Sequence, residues 1–197
     1  MPGAGAVVYK MTGSGNDFVL VDGRFNPPEG WTAEDIRAIC ARRTGVGADG
    51  LVVLVPGTRA GHVAFHFFNS DGGRSSMCGN AALCATRLAC WLELTPTDEV
   101  ILETDAGEVS GRCLDDDRGE RAEIVLPSPS AVSQPDIALE PGERSVWFTE
   151  VGVPHLVLLV DALAPVPVLE RGRALRSHAS VGSAGANVNF VGRNEGR

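Results

Sequence analysis

Met77-Cys78-Gly79-Asn80-Ala81-Ala82-Leu83-Cys84-Ala85-Thr86-Arg87-Leu88-Ala89-Cys90-Trp91-Leu92-Glu93-Leu94 is the stretch that decides the fold. Between Ala81 and Leu94 only Arg87 and Glu93 are charged, so the pattern predicts a helix that is apolar nearly all round. A helix without a polar face is buried on every side. It must therefore be a central element with a sheet wrapped around it. The polar loop Ser70–Asn80 feeds its N-terminus.

Outward from that helix, Val7–Lys10, Phe18–Asp22, Leu51–Val55, His62–Asn69, Val100–Thr104 and Glu108–Cys113 read as strands. A loop over Thr12–Asp17 separates the first two. Thr32 opens a second helix, with Glu34 and Asp35 in its first turn and Arg42-Arg43 in its last, as the helix dipole favours. Asp115–Glu120 reads as a charged turn, Ala122–Leu126 as a strand, and Pro127–Arg144 as a proline-rich loop and candidate boundary. Strands at Ser145–Val151, His155–Val160 and Ala186–Gly192 and a helix at Pro167–His178 complete the chain. Without a strict βαβ rhythm the class is α+β. Two domains are expected: residues 1–120 with a central helix over 79–94, and residues 121–197 as a partial second domain lacking one. Apolar surface is expected to stay exposed after about residue 120, because a sheet with one bare face is an incomplete layer.

Composition narrows the function. The 197 residues carry a net charge of -8, are 44% hydrophobic, and have a mean hydropathy of +0.04. Those values exclude a disordered, highly charged chain. No apolar run reaches the ~20 residues of a membrane span, and residues 1–5 show no secretory pattern. A soluble, cytoplasmic protein is expected, and without basic clusters neither nucleic acid nor a membrane is an expected partner. Lys10 is the only lysine, and its place on a strand argues against a Schiff-base cofactor. The five cysteines show neither zinc-site spacing nor, being odd in number, a disulfide framework. Gly45-x-Gly47-x-x-Gly50 matches a dinucleotide fingerprint but follows a helix and opens a strand, so it reads as a turn.

Cys78 carries the strongest chemical signal. It borders a Gly/Ser/Asn loop and the start of the buried helix, where open amides and the dipole favour an anion. A thiol there can fall from near 8.5 to about 3.5–7.5, and Gly79 lets a ligand approach the same amides. A buried capping cysteine is the alternative. Asn16, Asn69, Asn80, Asn187 and Asn189 lie in loops or at strand ends, where they either bind a zwitterion or simply form turns. His155 reads as a packed or capping residue.

Lys10-Met11-x-Gly13-x-Gly15-Asn16-Asp17-Phe18, Arg43-x-Gly45-x-Gly47-x-Asp49-Gly50, Phe68-Asn69-x-Asp71-Gly72 and Met77-Cys78-Gly79-Asn80 occur in that order. Together they closely resemble the diaminopimelate epimerase family. Gly152-x-Pro154-His155 and Gly185-x-Asn187-x-Asn189-Phe190 extend the resemblance. More distantly the pattern is similar to proline racemase and the phenazine-biosynthesis isomerase. The resemblance implies two pseudo-symmetric α+β domains, the second incomplete here, and a cofactor-independent, metal-free isomerase. Such an enzyme interconverts LL- and meso-diaminopimelate on the route to lysine, using two cysteines on opposite faces of the α-carbon. It places Cys78 as one catalytic cysteine and Asn16, Asn69, Gly79, Asn80 and Asn187 as substrate-binding residues. Its partner is the small amino-acid substrate, and members often form homodimers.

No cysteine follows Cys113, and Val153 stands where many members have a substrate-binding Asn, Gly50 where some have Gln. The expectation is a truncated or split epimerase with impaired inversion. A non-catalytic amino-acid-binding fragment, a proline racemase-like isomerase and a redox thiol enzyme are the alternatives.

Overall fold

The structure is a computed structural model that describes residues 6–114, 121–183 and 185–192. The expected charged turn over 115–120 lies outside them. The chain divides into two units between Leu126 and Pro127.

In the first unit the strands are β1 (Val8–Gly13), β2 (Asn16–Asp22), β3 (Gly50–Pro56), β4 (His62–Asn69), β5 (Arg74–Ser75), β6 (Glu99–Thr104), β7 (Gly107–Cys113) and β8 (Ala122–Val125). They form one mixed sheet in the order β1-β2-β3-β4-β6-β7-β8, with β5 paired to β4. Its β2–β3 and β4–β6 pairs are parallel. The central helix α2 (Gly79–Trp91) packs against strands across the whole sheet, including the edge strands β1 and β8. Such contact requires the sheet to curl around it. The α+β reading, with a mixed sheet wrapped around a buried helix, is what the structure contains.

Alternation explains the packing. Phe18 and Leu20 of β2 and Val52 and Leu54 of β3 join Ala81, Ala85 and Leu88 of α2 in one core. Val19, Val21, Leu51 and Val53 point the other way, toward Trp31, Ile36 and Cys40 around helix α1 (Ala33–Cys40). Strands covered on both faces lose the polar alternation that a half-exposed strand keeps, which is why β2 and β3 read as continuous apolar runs.

Four local expectations are corrected, the last of them the end of α2. The loop over Thr12–Asp17 is instead a two-residue turn, Ser14-Gly15, with both residues at positive φ (49° and 95°). That is the geometry whose twist suits a tight hairpin, so β1 and β2 run right up to it. Helix α1 stops at Cys40 rather than reaching Arg42-Arg43. The Gly47 and Ala48 amides take the Ile39 and Cys40 carbonyls at 3.0 Å each, closing the helix and leaving Arg42 outside it. Third, Cys90 in the last turn of α2 is disulfide-bonded to Cys113 of β7, against the expectation of no disulfide. The two are 23 residues apart and come together only because β7 packs on α2, which no spacing pattern reveals.

α2 ends before Leu94. Glu93 adopts φ 53°, and the Glu93 and Leu94 amides donate back to the Cys90 and Ala89 carbonyls at 3.1 and 2.9 Å. This is the double closure of a left-handed C-terminal cap.

The second unit holds β9 (Glu143–Val151), β10 (Val153–Val160), helix α3 (Val168–Arg176) and β11 (Asn187–Gly192). The sheet order is β11-β10-β9, with β10 and β11 parallel. Val146, Leu156, Leu158 and Val160 pack with Leu175 of α3. Arg171 of α3 grips Glu143 through two 2.8 Å bonds. Register puts Trp147, Val157 and Asn189 in one row of the opposite face, and Ser145, Leu159 and Val191 in the next. Trp147, Leu159 and Val191 are 37–45% exposed there, the exposed apolar surface expected after residue 120. No helix among the described residues is long and apolar enough to cross a membrane.

Candidate active site

Cys78 is the residue that caps the N-terminus of α2, with φ -145° and ψ 116°. Its side chain makes no capping bond, and the first amide to close the helix is that of Ala82, onto the Cys78 carbonyl at 2.8 Å. The amides of Gly79, Asn80 and Ala81 therefore stand at the positive pole of a 13-residue helix. A Cβ on Gly79 would meet only Leu126 and Ile124 carbons at 3.6 and 3.9 Å. Packing therefore does not demand glycine at this position; its bare backbone leaves the amides reachable.

The Cys78 thiol is half-buried, and burial pushes it above its ordinary value. The Ala81 and Asn80 amides pull it back, and the charge of Asp49 pushes it further up. The expected lowered thiol is therefore corrected: desolvation outweighs the helix terminus. Cys40 and Cys84 are fully buried, with thiols pushed up by burial to about 11.

The hairpin turn brings Asn16 to the same helix end. Asn80 Nδ2 donates to Asn16 Oδ1 at 2.7 Å, and Asn16 Nδ2 donates to Asp49 Oδ2 at 2.9 Å. This contact depends on Gly13, where a Cβ would lie 2.3 Å from the Asn80 carbonyl oxygen and 3.1 Å from Cys84 Sγ. Arg42 spans Asp17 (2.7 Å) and Asp49 (2.6 Å). Lys10 pairs with Asp17 at 2.6 Å and also donates to the Gly47 carbonyl. Arg42 and then Lys10 hold the Asp17 carboxyl far below the usual carboxylate range.

Cys78, Gly79, Asn80 and Asn16 thus converge. Asn69 ends β4, opposite Gly50 and one residue beyond Asp49, at the same end of the sheet. Asn187 is exposed at the start of β11 in the second unit, in a row with His155 and Thr149. Asn189 is occupied locally, donating to the Leu156 carbonyl at 3.1 Å. Burial lowers the His155 pKa. Sequence reasoning missed the Lys10–Asp17–Arg42–Asp49 network. Lys10, Asp17 and Asp49 lay inside the quoted motifs, whereas Arg42 stands one residue before the Arg43 motif and was read as a helix terminus.

The diaminopimelate epimerase family model matches residues 8–125. A diaminopimelate epimerase from Gemmatimonas aurantiaca is 42% identical over 186 residues, covering 92% of this chain and 65% of that one. One from Aquifex aeolicus is 37% identical over 191 residues, covering 93% and 67%. The chain belongs to the diaminopimelate epimerase family. It spans about two thirds of the length of these relatives. Among solved structures, a hydroxyproline epimerase from Agrobacterium vitis shares the fold, with a TM-score of 0.61 at 20% identity, covering 95% of this chain and 66% of that one. The match to the epimerase family model contains the whole Cys78–Asn16–Asn80 cluster.

Proposed function

We propose that Cys78 moves the α-proton of diaminopimelate on one face of the α-carbon, without a cofactor, as the proton-transfer half of an epimerase. The observation that carries this reading is a half-buried thiol at the open amide end of α2, next to Asn80 and its partner Asn16. The ionised sulfur takes the α-proton: the Cα–H bond breaks, an S–H bond forms, and the electron pair moves toward the adjacent carboxylate. Amides at the helix terminus stabilise that charge as it develops. A thiol with a raised pKa is the stronger base for a carbon acid, at the cost of a smaller ionised fraction. Asn16, Asn69, Gly79, Asn80 and Asn187 are the proposed substrate contacts, and the cytoplasm is the proposed setting.

Inversion requires a second acid on the opposite face, and no cysteine follows Cys113 in the sequence. For these 197 residues by themselves, the expected result in heavy water is α-deuteration of LL-diaminopimelate with its configuration retained. Mass spectrometry with chiral separation checks both halves. Robust conversion to the meso form contradicts the one-sided reading. Binding without deuteration favours a non-catalytic amino-acid-binding fragment, the reading the single cysteine at the site supports next.

A further inference from the structure

We propose that Asp49, held by Arg42, is a positioning residue that fixes the polarity of the Asn16–Asn80 amide pair. The inference rests on the proposed function for its ligand, and on hydrogen-bond logic for its geometry. A side-chain amide has two ends of similar shape and opposite hydrogen-bonding character, so its orientation is set by its neighbours. An ionised carboxylate only accepts. Asp49 Oδ2 therefore selects the NH2 end of Asn16, at 2.9 Å, while also accepting the Asp17 backbone amide at 3.2 Å. That turns Asn16 Oδ1 toward Asn80, which must answer with its own NH2 end, at 2.7 Å. One anionic group thus sets two successive amides.

The remaining charges are spent on holding Asp49 still. Its Oδ1 accepts from Arg42 at 2.6 Å, and the same guanidinium grips Asp17, which Lys10 also holds. Two cations and two carboxylates sum to zero, leaving the network no net charge with which to attract a substrate. What the network presents is polarity. Among the described residues, one N–H of each amide and the Asn80 Oδ1 atom are left without a protein partner. Those N–H groups suit a carboxylate and that oxygen suits an ammonium, which are the two ends of an amino-acid zwitterion. With the amides reversed, oxygens would stand where donors are needed.

Asp49→Asn tests this, because an amide of the same shape no longer dictates which end Asn16 turns toward it. In a 15N-labelled chain, the Asn80 side-chain NH2 is expected to lose several-fold of its protection from solvent exchange, although Asp49 does not touch it. Asp49→Glu, which keeps an acceptor, is expected to restore part of that protection. KM for diaminopimelate α-proton exchange is expected to rise by about 10-fold or more, with kcat changing less. Asp49 is also the charged group whose field reaches Cys78, with Cys84 the neighbouring titratable thiol. Its neutralisation is therefore expected to move the Cys78 alkylation midpoint downward while the thermal melt still reports a folded chain, since unfolding would lower the midpoint as well by removing the burial. Should Asp49→Asn fail to fold, Arg42→Gln at a 59% exposed side chain releases Asp49 from its cation and is expected to loosen the same Asn80 amide. A folded Asp49→Asn chain with unchanged Asn80 protection and unchanged KM overturns the proposal. If the parent chain exchanges no α-proton, the functional reading falls, while the amide measurement alone still decides whether Asp49 sets the pair.

Discussion

Cys78→Ser is expected to cut α-proton exchange into diaminopimelate by about 10²–10⁴-fold, the range one positioned proton-transfer group contributes, without loss of stability. The second half of that expectation is the more informative. Cys78 occupies a helix N-cap with the extended backbone such a cap favours, yet its sulfur makes no well-formed capping bond, although the Asn80 and Ala81 amides act on it. Serine is among the preferred residues there, stabilising by about 0.5–2 kcal/mol relative to alanine. A serine hydroxyl is a stronger acceptor than a thiol for the amides that face this position, so the variant should melt at or above the parent temperature. A helix that gains stability while losing exchange identifies the cysteine as a residue kept for chemistry. Parallel thermal melting and deuterium incorporation measure the two. Exchange that survives the substitution removes Cys78 from the mechanism.

Gly13→Ala carries the largest expected structural effect. Its new Cβ would sit 2.3 Å from the Asn80 carbonyl oxygen, which belongs to helix backbone and cannot rotate aside. The hairpin turn must lift away from α2, at the roughly 1–3 kcal/mol typical of overpacking a filled space. The 2.7 Å Asn80–Asn16 bond is lost with it. Urea denaturation reads the stability and diaminopimelate titration reads the site; both are expected to weaken together. Unchanged stability would mean that the turn and the helix do not meet as described.

The central helix was legible because its composition is so one-sided: two charges in fourteen residues leave burial as the only stable arrangement. Cys78, Gly79, Asn80 and Asn16 were legible as parts of ordered motifs. Their convergence was not, since it depends on a two-residue turn, and Ser14 at positive φ carries no strong signal of one. Arg42 was misplaced for a related reason. Its charge suits a helix C-terminus, but the carbonyls there are taken by the Gly47 and Ala48 amides, freeing the guanidinium to organise Asp17 and Asp49. The thiol's electrostatics were read with the wrong sign because sequence shows the helix pole and not the burial opposing it. The Cys90–Cys113 bond was hidden for the same reason that any long-range contact is: it follows from packing.

The most direct test of Cys78 as the reactive thiol is iodoacetamide labelling across pH, with peptide mapping of the modified cysteines. Cys40 and Cys84 are buried with thiols near 11, and Cys90 and Cys113 are bonded to each other. Cys78 should therefore take the label first. Its rate should rise toward a midpoint above the ordinary thiol value, because burial disfavours the ionised sulfur. Saturating diaminopimelate should slow the labelling by covering the site. A Cys78 that stays unlabelled while Cys40 or Cys84 reacts, or one whose labelling is indifferent to diaminopimelate, contradicts the account.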